Sequence, residues 1–62
     1  MKITITIECD NEAFKPDPSD EVRAILTEMM AAARYADFRT LDGRKLRDSN
    51  GNTVGKIAVT GK

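Results

Sequence analysis

The sequence predicts an α+β fold in the order β-α-β-β: a three-stranded antiparallel-type sheet with one helix packed on one face. Three observations carry this. Isoleucine alternates strictly with polar residues over residues 2–9, a helix-start signal at residue 17 precedes apolar residues at helical spacing, and an Asn-Gly pair separates two strand-like runs near the C-terminus.

The first strand reads Lys-Ile-Thr-Ile-Thr-Ile-Glu-Cys over residues 2–9. Ile3, Ile5, Ile7 and Cys9 fall on one face, with Lys2, Thr4, Thr6 and Glu8 on the other. This is the period-two pattern of a half-buried antiparallel strand built from β-branched residues. Cys9 completes the apolar face as a small buried hydrophobe. The chain contains no histidine to draw its proton off, so a reactive thiol is not expected.

Residues 10–16 form a polar connection whose single large apolar side chain, Phe14, is expected to fold back over one end of the core. Pro16 and Pro18 prevent the strand from continuing. Asp17 suits the N-cap, Pro18 the first helical position, and Asp20 and Glu21 the positive end of the helix dipole. Ser19 is the alternative cap, which moves the start by two residues. The helix is predicted to run to about Ala36. At 100° per residue, Val22, Ile25, Leu26, Met29, Ala33 and Ala36 share one apolar face. Ala24, Ala31 and Tyr35, interrupted by Glu28, form a second stripe on its back. Small residues there admit a second helix or a partner. Alanine also suits exposed helical positions on propensity alone.

A connector from Asp37 to Gly43 carries two apolar anchors, Phe38 and Leu41, and a turn at Asp42-Gly43. Asn50-Gly51 then reads as the tip of a two-residue type I′ hairpin. That register sets Ser49 opposite Asn52, Asp48 opposite Thr53, Arg47 opposite Val54, Leu46 opposite Gly55, Lys45 opposite Lys56 and Arg44 opposite Ile57. Leu46, Ile57 and Val59 share the core face, and Lys45, Arg47, Val54, Lys56 and Ala58 the other. The strand order stays open. The first strand either adds antiparallel beside the last or runs parallel beside the second through a right-handed crossover.

The 62 residues allow one small domain, residues 1–62. With 40% hydrophobic and 32% charged residues, the composition is that of a folded globular chain. Such a chain buries only roughly 60% of its unfolded surface, so self-association or a partner is a reasonable expectation. One cysteine and no histidine exclude a histidine-based triad, a Cys/His zinc site and an internal disulfide. No apolar run reaches the roughly 18 residues of a membrane span, and no signal-peptide pattern opens the chain. The expectation is a cytoplasmic, non-enzymatic protein without a cofactor.

The net charge is +0, but it is unevenly placed. Residues 1–30 carry three cations against seven anions, and residues 31–62 carry seven cations against three anions. A chain of this kind can pair with itself, present two faces of opposite sign, or neutralise itself on folding.

Two surfaces stand out. Lys45 and Lys56 are directly opposed on the outer sheet face, with Arg47 one pleat further on, and like charges so placed repel. Glu8, an acidic partner surface or a phosphate could offset the repulsion, unless the chains splay into water. The face has no aromatic residue, which weighs against a single-stranded nucleic-acid platform. The second surface is an open sheet edge, free to pair with a second copy or a target strand. The spacing Asp48-x-Asn50-x-Asn52 matches the first ligands of a calcium loop. However, Thr53 stands where that loop needs glycine and Val59 where it needs glutamate, so no metal is expected.

The Met-Lys-Ile-Thr-Ile-Thr-Ile strand, the capped amphipathic helix and the closing Leu-Arg-Asp-Ser-Asn-Gly-Asn-Thr-Val-Gly hairpin resemble small proteins encoded by bacteriophages and prophages. Those with assigned roles are often inhibitors of bacterial defence, such as anti-CRISPR proteins, which bind a host complex stoichiometrically. The resemblance implies a non-catalytic accessory protein that binds and modulates a host protein complex in the host cytoplasm. It transfers no functional residue. From the residues themselves, Arg44, Lys45, Arg47 and Lys56 on the hairpin and Tyr35 on the helix back are the candidate contacts. A homodimer through a sheet edge or the helix back is a further expectation. The alternative is a module that binds nucleic acid or a phosphorylated ligand through the same basic groups.

Overall fold

The computed structural model describes residues 1–61. Strand β1 (Lys2–Ile7) leads through a single 3-10 turn at Glu12–Phe14 into helix α1 (Ser19–Ala32). A second 3-10 turn at Phe38–Leu41 precedes β2 (Lys45–Arg47) and β3 (Thr53–Thr60). The sheet order is β1-β3-β2 with both pairings antiparallel, which settles the open question of strand order. The longest strand is central, so it supplies backbone partners on both sides.

Helix α1 begins as its sequence dictates. Pro18 has helical dihedrals and its carbonyl accepts from the Val22 N–H at 2.9 Å. The Asp17 carboxylate accepts from the Ser19 N–H at 2.9 Å, so Asp17, not Ser19, does the capping. That hydrogen bond holds the Asp17 carboxyl below its ordinary range. The helix ends at Ala32, four residues before the predicted Ala36, because Phe38 and Leu41 must turn back into the core. Ala33 is buried as the C-cap, and the Ala36 N–H bonds to the Ala33 carbonyl in a turn. Tyr35 therefore lies beyond the helix rather than on its back.

The core comprises Ile25, Met29 and Ala33 from the helix region, Leu46, Val54, Ile57 and Val59 from the sheet, and Phe14 and Leu41 from the two 3-10 turns. Phe14 closes the core as expected. Cys9 does not join it: the thiol is exposed beyond the end of β1, which stops at Ile7 with one last ladder bond from the Glu8 N–H to the Val54 carbonyl at 2.7 Å.

The hairpin departs from its predicted register at the tip and returns to it further down. Asp48 pairs with Asn52 through a 2.9 Å backbone bond, and the Gly51 N–H bonds to the Asp48 carbonyl at 3.1 Å. Gly51 has φ +84 while Asn50 does not have positive φ, as a type I′ turn requires. The loop is thus a three-residue one with glycine in the left-handed position. Arg47 then pairs with Thr53 rather than Val54, and Asp48 no longer faces Thr53 nor Ser49 Asn52. A bulge between Leu46 and Arg47 absorbs the offset, leaving Val54 as the extra residue. Below it Leu46–Gly55 and Lys45–Lys56 are opposed as predicted. Val54, expected on the solvated face, is buried.

Asp48 is the reason for that loop. Its Oδ1 accepts from the N–H groups of Asn50 and Asn52, each at 2.9 Å. Its Oδ2 accepts from Asn11 Nδ2 at 2.6 Å and Asn52 Nδ2 at 3.3 Å. Burial alone would raise the carboxyl pKa. The hydrogen bonds from the Asn52 backbone, the Asn11 and Asn52 side chains and the Asn50 backbone outweigh it and hold the pKa below the ordinary 3.8. A depressed pKa contributes stability that is present above about pH 3.8 and is lost as pH falls through the folded value. The urea midpoint is therefore expected to hold from pH 7 to pH 5 and to drop under about pH 4. In Asp48→Asn that part of the acid slope disappears, and Asp48→Ala lowers the melting temperature by roughly 10 °C.

Candidate functional site: a basic hairpin edge

The four hairpin cations occupy two adjoining hollows. Arg44, Lys45 and Arg47 line a depression of about 190 Å³ with Ile25, Glu28 and Met29 of the helix. This is below the roughly 300 Å³ at which small-molecule pockets begin. Lys45 and Lys56 line a wider hollow of about 380 Å³ on the opposite sheet face with Thr6, Glu8, Thr53, Val54 and Gly55. Lys45 lines both, because β2 is an outer strand of the sheet with a hollow on either side of it.

Local structure explains why the cations gather here. The carbonyl of Arg44 accepts from Ile57 N–H at 2.9 Å, and the N–H of Gly43 donates to the Ile57 carbonyl at 2.8 Å, which lays the chain along β3 just before β2. Asp42 Oδ1 accepts from Val59 N–H at 2.9 Å and finishes that side of β3. The tip is tied to the helix by Glu21, whose carboxylate accepts from the Ser49 N–H at 3.0 Å and its Oγ at 2.8 Å.

The electrostatics are unbalanced. Arg39 is engaged by Asp37, to both of whose carboxylate oxygens its Nε donates at 3.0 Å. The Arg39 side chain and backbone hold the Asp37 carboxyl at about 2. Among the described residues, by contrast, Arg44, Lys45 and Lys56 form no ion pair, and Arg47 has one long bond of 3.4 Å to the Gly51 carbonyl. Glu8 lines the hollow of the opposed lysines without reaching either as an ion pair.

Tyr35 does not belong to this surface. It is 90% exposed, and the Arg34 guanidinium stands 5.3 Å from its ring centroid. That leaves Arg44, Lys45, Arg47 and Lys56 as the site the structure brings together, with Glu28, Ile25 and Met29 beside them. The sequence signal for the helical side of this site is the seven-residue spacing of Glu21 and Glu28, which at 100° per residue puts both on one flank of the helix.

No protein-family model, curated protein or solved structure matches the chain. Among the described residues no helix is long and apolar enough to cross a membrane, and no group of three or more His, Cys, Asp or Glu side chains could hold a metal ion.

Proposed function

We propose that this protein is a non-catalytic accessory protein of the kind phages encode, which binds a host protein complex in the cytoplasm and modulates it, as anti-CRISPR inhibitors do. The observation that supports this reading is the set of cations Arg44, Lys45, Arg47 and Lys56 around a short outer strand, none of them in an ion pair among the described residues, next to the apolar side chains of Ile25 and Met29. A cationic rim around a small apolar patch suits an acidic protein surface, where charge steers the encounter and the apolar contact slows release. A nucleic acid or phosphorylated ligand is the competing occupant, but the described aromatic rings lie elsewhere: Phe14 is buried, Phe38 half-buried, and Tyr35 is next to Arg34.

The test is charge reversal at Lys45 and Lys56 together. The double Lys→Glu variant is expected to keep its circular dichroism spectrum and to lose at least about tenfold in affinity for whatever host complex the wild-type protein captures. Unchanged capture counts against this surface. Titration of an oligonucleotide at increasing salt separates the readings, since phosphate contacts predict affinity that falls steeply with ionic strength.

A further inference from the structure

The outer side of β1 is an open sheet edge. Alternation along an antiparallel ladder sends the backbone groups of successive residues to opposite sides. The Glu8 N–H points to β3, so Thr6, Thr4 and Lys2 do likewise, while Ile3, Ile5 and Ile7 turn their N–H and C=O groups to the open edge. The other edge, β2, is three residues long and basic, which discourages pairing. β1 has six residues, no proline and no bulge in its pairing with β3.

Its apolar face is also under-covered. Ile3, Ile5 and Ile7 lie opposite Val59, Ile57 and Gly55, on the helix side of the sheet, yet Ile3 and Ile5 each remain 40% exposed. The helix lies toward β2: Glu21 bonds to the hairpin tip and Glu28 lies beside Arg44 and Lys45. At 100° per residue the opposite flank presents Leu26 and Met30, and both are exposed. The whole chain exposes 4440 Å², against about 3950 Å² for a compact monomer of its mass.

We infer that β1 pairs antiparallel with β1 of a second copy about a two-fold axis through Ile5. The strand is complementary to itself in that register. Lys2 lies opposite Glu8 of the second copy, Thr4 opposite its Thr6, Ile3 opposite its Ile7, and Ile5 opposite its Ile5. The outward backbone groups of the three isoleucines then form the hydrogen-bonded pairs. Lys2 and Glu8, neither in an ion pair among the described residues, meet in the closer non-hydrogen-bonded pairs, where cross-strand charge complementarity acts most strongly. A shift of two residues either way keeps the faces aligned but loses both Lys2–Glu8 contacts. Pairing also gives Ile3 and Ile5 apolar neighbours on their open side and joins the two sheets into one. It uses the sheet edge opposite β2, sharing only Thr6 and Glu8 with the hollow of Lys45 and Lys56, and does not depend on the function proposed for the basic hairpin.

The test is a charge-swap series read by sedimentation equilibrium. Wild-type protein is expected at twice 6.8 kDa. Lys2→Glu and Glu8→Lys, each alone, place like charges opposite one another at both ends and raise the dimer dissociation constant roughly tenfold or more. The double variant Lys2→Glu/Glu8→Lys restores it, and the two single variants mixed together form a heterodimer. A wild-type mass of 6.8 kDa at all concentrations up to about millimolar overturns the inference. So does a dimer that the single swaps leave intact, or that the double swap fails to restore.

Discussion

Gly55→Ala is expected to cost about 3 kcal/mol or more and to displace β1 from the sheet. Gly55 sits on the central strand opposite Ile7, where β1 comes closest. A methyl group there would stand 1.8 Å from the Thr6 carbonyl oxygen, 2.8 Å from its carbonyl carbon and 3.1 Å from the Ile7 Cα. All three are backbone atoms, so no side chain can rotate away, and relief requires the strand itself to move. The loss is large beside the total stability of a domain this size, roughly 3–9 kcal/mol. Gly51→Ala is the informative comparison. Its Cβ would meet open space, and the cost comes only from the positive φ of +84, about 1–2 kcal/mol. Urea unfolding followed by circular dichroism should rank the variants wild type, Gly51→Ala, Gly55→Ala. A Gly55→Ala midpoint at or above that of Gly51→Ala would mean that β1 does not approach β3 this closely.

Gly55 also shows where sequence reasoning reached and where it stopped. The alternating isoleucines, the Asp17-Pro18 start and the Leu46–Gly55 and Lys45–Lys56 pairs were legible because each rests on local chemistry: side-chain alternation, a capping carboxylate, turn propensity. The hairpin tip was not, because a two-residue and a three-residue loop use the same Asn-Gly pair. What chooses between them is Asp48, whose carboxylate is drawn inward by Asn11 from 37 positions away. The same limit applies to Ile3 and Ile5. Alternation places them on the correct face, but how far the helix covers that face depends on Glu21, which ties the helix to the hairpin tip. The basic residues Arg44, Lys45, Arg47 and Lys56 were visible as a cluster. Tyr35 was misplaced with the helix end, since periodicity alone continues through Ala36 and only the need to bury Leu41 breaks it.

Phe14→Ala is expected to abolish cooperative folding. Phe14 is 1% exposed and is one of nine buried apolar side chains among the described residues, so its removal leaves a hole in a core with little else to fill it. Truncations of this kind cost about 3–5 kcal/mol, which approaches or exceeds the whole stability expected at this length, roughly 3–9 kcal/mol. The position matters as much as the volume. Phe14 ends a single 3-10 turn whose Asn11 cap accepts from the Ala13 N–H at 2.9 Å and donates to Asp48 at 2.6 Å. Withdrawing the ring therefore loosens the support of the hairpin turn together with the core. Phe14→Leu keeps an apolar side chain of similar reach and should cost less than about 1.5 kcal/mol, retaining a sigmoidal urea transition. Phe14→Ala should show a broad, shallow one or none. Equal midpoints for the two variants would mean that the turn at 12–14 merely covers the core instead of completing it.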